Sequence, residues 1–166
     1  MKYFNILKDF KDVFLTKKNL FFLILIIILF SLDRISKIKI ISELDEGSYF
    51  VNNFLNIDLI WNIGIGFGML STQSSLIYNL ITSIIFIVII GLIYMLIKSS
   101  NIDKLIYTII IGGALGNFYD RLIYKGVPDF IDLHYNNFHW FTFNVADIFI
   151  TVGITIFIIR SFFVKN

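Results

Sequence analysis

Cysteine is absent from the 166 residues, and histidine and proline occur only twice and once. The first absence excludes disulfides, thiolate metal sites and a cysteine nucleophile. With His134 and His139 as the only imidazoles, a multi-histidine metal centre is not expected, and no metal or other cofactor is assigned. The formal net charge is only +2, which gives no basis for nucleic-acid binding. A further scarcity is local: residues 42–75 contain no Lys or Arg, only Glu43, Asp45, Glu46 and Asp58.

What is abundant is apolar. Hydrophobic residues make up 57% of the chain, against about 45–50% for an ordinary soluble domain, and they are concentrated in runs. Four stretches, at about 20–41, 76–97, 105–122 and 141–163, approach the roughly 20 residues needed to cross a bilayer. Backbone groups in lipid must be satisfied within the segment, so each is expected to be a helix. Lys2, Lys8, Lys11, Lys17 and Lys18 precede the first run, Lys98 and Lys104 lie between the second and third, and Arg160 and Lys165 end the chain. The positive-inside rule therefore places both termini in the cytoplasm and the loops at about 42–75 and 123–140 outside. The first run lacks a small-residue cleavage site and is followed by charged residues, so it reads as a retained span rather than a signal peptide. Within the first outer loop, 49–54 and 57–62 mix apolar and polar residues as strands do, with Asn52, Asn53 and Asn56 as turn candidates. The fold expected is an all-α membrane protein of four transmembrane helices, with a small extracytoplasmic β-rich region between helices 1 and 2. The whole chain forms one membrane domain, and a monomer is compatible with the pattern.

Ionisable groups within spans are costly and mark function by default. Asp147 follows Asn144 near the start of the fourth run, about 10 Å along a helix begun at Phe141. In the third run, Gly112, Ala114 and Gly116 permit close helix approach, Asn117 and Arg121 share a face at i,i+4 spacing, and Asp120 reads as a structural partner of Arg121. Asp33 and Lys37 have the same spacing at the end of the first run. Asn62 precedes a segment in which Gly64, Gly66 and Gly68 allow backbone to approach closely. Asp129 and Asp132 lie in the second outer loop, Asp129 directly after the φ-restricting Pro128. Either of them could meet Asp147. Two close carboxyls sharing one proton can serve as base for an attacking water and acid for a leaving amine. Ser36 and Lys37 are a poor Ser–Lys dyad because adjacent helical residues point apart. An ion pathway and a structural scaffold are the other classes that the residues alone leave open.

Five segments, in order, resemble the lipoprotein signal peptidase (signal peptidase II) family. Asp33-Arg34-Ile35-Ser36-Lys37 is similar to its Asp-x-x-x-Lys, and the stretch from Trp61 to Gly68 to its Asn-x-Gly-x-Ala-Phe. The stretch from Gly112 to Arg121 follows Gly-Gly-x-x-Gly-Asn-x-x-Asp-Arg. Gly126-Val127-Pro128-Asp129-Phe130 resembles Gly-x-Val-x-Asp-Phe, and Phe143-Asn144-Val145-Ala146-Asp147 matches Phe-Asn-x-Ala-Asp. The resemblance implies a bacterial cytoplasmic-membrane aspartic endopeptidase. It would remove the signal peptide of diacylglyceryl-modified prolipoproteins before the lipidated cysteine, with those precursors and membrane lipids as its partners. It further implies Asp129 and Asp147 as the catalytic pair, with Asp33, Lys37, Asn62, Gly113, Asn117, Arg121 and Asn144 as the supporting pocket and Asp120 as a structural ion-pair member. The chain departs from the pattern at Gly66, where the family has Ala, and at Pro128, which leaves Asp132 as the alternative partner of Asp147.

Overall fold

The computed structural model describes residues 16–44, 48–64, 75–136 and 138–163. The lysines before Thr16 and the glycines at Gly66 and Gly68 lie outside the described residues.

Four long helices carry the architecture: α1 (Lys17–Glu43), α2 (Ser75–Lys98), α3 (Asn101–Tyr124) and α4 (Val145–Phe163). Thr16 starts α1 by accepting the Asn19 N–H on its hydroxyl at 3.1 Å, which satisfies one of the free donors of the first turn. At the other end of the bundle, α3 stops where Lys125 adopts a left-handed φ of 58°. The chain reverses there and enters the first strand of the second hairpin.

Helices α2 and α4 are long and apolar enough to cross a membrane by length and composition. The other two are 27 and 24 residues long, and each carries buried charged groups among its apolar residues. The outward faces are apolar: Leu76, Leu80, Ile84 and Ile87 of α2 are all more than half exposed, a surface that suits lipid rather than water.

Helix α3 is central and packs on α1, α2 and α4. Its glycines explain how. A Cβ at Gly112 would sit 2.7 Å from the Cβ of Leu29 on α1, and one at Gly116 would collide with the Asp33 carboxylate. A Cβ at Gly113 would sit 2.5 Å from the Ala146 carbonyl oxygen of α4. The run of small residues thus serves two neighbours at once, since 112 and 116 share one face and 113 lies on another. Helix α4 reciprocates with Gly153, which packs on Ile110.

The strands are β1 (Ser48–Asn52), β2 (Leu55–Asn62), β3 (Val127–Tyr135) and β4 (Phe138–Phe143), and they form one antiparallel sheet in the order β1-β2-β3-β4. The first hairpin turns at Asn53 and Phe54, where Asn52 Oδ1 accepts the Phe54 N–H at 2.8 Å; Asn56 is within β2. The β-rich region therefore extends beyond the connection between the first two helices, because the loop between α3 and α4 supplies half of it. The expected fourth span also started too early. Residues 141–143 end β4, and the helix begins only at Val145. Phe138-His139-Trp140-Phe141-Thr142-Phe143 is aromatic and β-branched, a composition that fits a pleated surface but merges with the following helix in an apolar count.

Replacing Gly113 with Ala should lower the thermal midpoint of the detergent-purified protein, since a backbone oxygen cannot rotate away; overpacking of this kind costs roughly 1–3 kcal/mol. Gly91 has open space where its Cβ would be, so Gly91→Ala should not lower the midpoint, and equal losses in the two variants would refute the packing argument.

Candidate active site

The site is built on a buried charge cluster between α1 and α3. Asp33, Lys37 and Asp120 are all 0% exposed. The Lys37 ammonium donates to Asp33 Oδ2 at 2.9 Å, to Asp120 Oδ2 at 2.7 Å and to the side-chain oxygen of Asn117 at 2.8 Å. All three of its donors are used, the condition under which a buried ammonium is tolerable. Arg34 pairs with the other oxygen of Asp120 and stacks 4.8 Å above the Tyr119 ring. The i,i+4 pairing of Asp33 with Lys37 is as the spacing predicts. Asp120 is different: its cationic partners are Arg34 and Lys37, on another helix, and not its neighbour Arg121. Adjacent residues of a helix point apart, whereas α1 presents its cations directly to the Asp120 face. Arg34 is the one cluster member that the sequence reading did not single out, and its signal was simply a guanidinium within an apolar run.

The second component is the start of α4. Asn144 caps this helix: its side-chain oxygen accepts the Asp147 N–H at 3.1 Å, while Asp147 Oδ2 accepts the Asn144 N–H at 3.2 Å. This reciprocal pair is a capping box, built here by Asn-x-x-Asp. Asp147 therefore lies in the first helical turn, and not about 10 Å along a helix begun at Phe141. Two further contacts fix the helix end. Asp33 Oδ1 accepts the Ala146 N–H at 3.0 Å, placing a carboxylate at the positive end of the helix dipole. Asn117 donates its amide to Asp147 Oδ1 at 2.7 Å. Asn117 thus links the Lys37 ammonium, through its oxygen, to the Asp147 carboxyl, through its nitrogen.

The third component is β3. Asp129 is paired in register with Ile60 of β2. Asn62, two residues further along β2, is the diagonal neighbour on the same face. Its amide donates to Asp129 Oδ2 at 2.9 Å, and its side-chain oxygen accepts the Gly64 N–H at 2.9 Å. From the other side, the Asn144 amide donates to Asp129 Oδ1 at 2.6 Å. Asn144 therefore contacts both aspartates. Burial pushes the Asp129 carboxyl up to about 6, the Asp147 charge pushes it the same way, and the Asn62 and Asn144 hydrogen bonds hold it down.

Asp129 and Asp147 line one cavity of about 330 Å³, together with Asn62, Asn117 and Arg121. Below this polar rim the cavity continues between apolar residues such as Ile85 of α2 and Ile154 of α4. The Arg121 guanidinium donates to the Gly64 carbonyl at 2.6 Å and to the Asn117 carbonyl at 3.3 Å, so it braces the end of β2 against α3. Gly113 is one turn below Asn117 and admits the Ala146 backbone. Asp132, the alternative partner for Asp147, is not in this cavity. Residues at i and i+3 of a strand fall on opposite faces, and Asp132 pairs instead with His139, whose Nδ1 is 2.7 Å from its Oδ2. A pair of buried carboxyls held at a polar rim over an apolar cleft is suited to water-mediated hydrolysis of a bond presented from the membrane.

Known proteins resemble this chain over most of its length. The family model described as Signal peptidase (SPase) II matches residues 25–163. A lipoprotein signal peptidase of Pelagibacter ubique is 48% identical over 147 residues, covering 87% of this chain and 89% of that protein. Another from Francisella tularensis subsp. novicida is 38% identical, covering 92% and 98% of the two chains. Among solved structures, one described as a bacterial membrane enzyme superposes with a TM-score of 0.70 at 29% identity, covering 85% of this chain and 87% of that one. The chain belongs to the signal peptidase II family.

Proposed function

We propose that Asp129 and Asp147 are the catalytic pair of this enzyme, and that all four helices cross the bacterial cytoplasmic membrane with the sheet and the active site at its outer face. As a signal peptidase II, the chain is an aspartic-type endopeptidase that processes prolipoproteins. The observation that carries the assignment of the pair is that both carboxyls line one cavity and both are hydrogen-bonded by Asn144. The topology rests on the lysine distribution, with residues 42–75 free of Lys and Arg, and on the apolar outward faces of the helices.

In this reading the substrate is a diacylglyceryl-modified prolipoprotein, cut before its lipidated cysteine. Its acyl chains occupy the apolar cleft beside Ile85 and Ile154, and the scissile amide lies at the polar rim. One carboxyl is ionised and takes a proton from a water molecule as that oxygen attacks the amide carbon. The other is protonated and donates to the carbonyl oxygen. Collapse of the tetrahedral intermediate breaks the C–N bond as the nitrogen is protonated, and the pair returns to one shared proton. Asn62, Asn117 and Asn144 orient the carboxyls, and Asp33, itself held by Lys37, fixes the helix end that carries Asp147. Asp120 secures Lys37 and Arg34, and Gly113 allows α4 to approach α3.

Asp129→Asn and Asp147→Asn should each abolish cleavage of a lipid-modified precursor by purified protein, with the melting profile retained; full activity in either variant excludes the pair. A direct titration provides a second check. An acid raised to about 6 is protonated below that pH and ionised above it. The infrared band of protonated carboxyls should therefore lose one component as pH rises through about 6, and that component should be missing from Asp129→Asn. In Asp147→Asn its midpoint should move down, because the neighbouring negative charge is gone.

A further inference from the structure

Both histidines of the chain meet on the β3–β4 hairpin, outside the cavity that holds Asp129 and Asp147. His134 of β3 and His139 of β4 are cross-strand partners, with ring centroids 5.3 Å apart and nearly parallel at 25°. Asp132 precedes His134 by two residues and so projects from the same face of β3. One ligand atom from each of the three side chains lies within 4.8 Å of the others. A multi-histidine metal centre is not expected from the histidine count, but such a count does not register that the hairpin brings both imidazoles close to one carboxylate.

The bonding in this cluster is incomplete. His139 Nδ1 is 2.7 Å from Asp132 Oδ2, a hydrogen bond. His134 Nδ1 is 3.6 Å from the same oxygen, beyond hydrogen-bond range. That nitrogen is buried and has no hydrogen-bond partner, on a residue only 7% exposed. A buried, unpaired polar atom costs about 1–3 kcal/mol, and this one lies beside a carboxylate and a second imidazole.

We propose that Asp132, His134 and His139 form a binding site for a divalent transition-metal ion of the zinc type, separate from the catalytic cavity. Two imidazoles and one carboxylate suit such an ion. With metal–ligand bonds of about 2.0–2.1 Å in tetrahedral geometry, ligand atoms stand roughly 3.3 Å apart. The Asp132–His134 separation is already near that value. Asp132 and His139 open by about half an ångström as the ion replaces the hydrogen bond between them. His139 then binds through an unprotonated Nδ1, its proton residing on Nε2 or passing to solvent. The site has an entrance, because the His139 side chain is 54% exposed. Three protein ligands leave a fourth position for water. Occupied, the site fastens the end of β3 to β4 three residues beyond Asp129, and so stiffens the strand that carries it.

The test uses the full-length chain in detergent, purified without a polyhistidine tag, freed of metal by a chelator and titrated with Zn²⁺ against a chromophoric competitor. One Zn²⁺ per chain is expected, and Zn²⁺ should raise the thermal midpoint. His139→Gln, where the side chain is 54% exposed, should weaken binding about 10- to 100-fold or more, as should His134→Gln. Asp129→Asn with Asp147→Asn should bind Zn²⁺ like the parent. Failure to bind one equivalent, unchanged affinity in His139→Gln, or loss of binding only in the Asp129/Asp147 variant would each overturn the proposal.

Discussion

One buried ammonium organises this molecule. Lys37 has no access to solvent, so its charge can be accommodated only by oxygen atoms brought to it from the surrounding helices. Asp33 comes from its own helix, and Asp120 and Asn117 from α3. The helices must lie close together for this, and Gly116 provides the room by leaving its side-chain space to the Asp33 carboxylate. Once satisfied, the cluster directs its remaining groups at α4: the second oxygen of Asp33 holds the Ala146 N–H, and the amide of Asn117 holds Asp147. Buried ion pairs are weak sources of net stability but very costly to leave half made. They therefore specify one arrangement of the helices, and that arrangement fixes one aspartate of the pair.

The other aspartate is positioned by the sheet. A strand aligned to Ile60 and flanked by Asn62 can present Asp129 in one direction only, since a slip of one residue would turn it to the opposite face. Asn144 then joins the two systems, because it ends the hairpin, caps α4 and donates to Asp129. Two carboxyls on separate elements are thus aligned through asparagine amides. These donate to a carboxylate without neutralising it, which leaves the proposed pair able to share a proton.

Much of this could be read from the chain alone. Long apolar runs gave the four helices, the Asp33–Lys37 spacing gave their ion pair, and the five ordered segments pointed to the family. What was obscure has physical causes. Residues 141–143 run on into the apolar stretch that follows, so the end of β4 was absorbed into the expected helix. The capping box at Asn144 and Asp147 was visible as Asn-x-x-Asp but was read as an ionisable group inside a span. The true partners of Asp120 lie about 85 residues away in sequence, and no local spacing announces them. The histidine cluster depends on hairpin register, which a residue count cannot reveal.

The claim that the Lys37 cluster holds the active site in place is tested most directly by Lys37→Met, assayed for melting and for cleavage of a lipid-modified precursor. The substitution keeps the length of the side chain and removes the charge, leaving Asp33 and Asp120 without their shared cation. The account predicts destabilisation of about 3–5 kcal/mol together with loss of cleavage. A variant that melts and cleaves like the parent would contradict it.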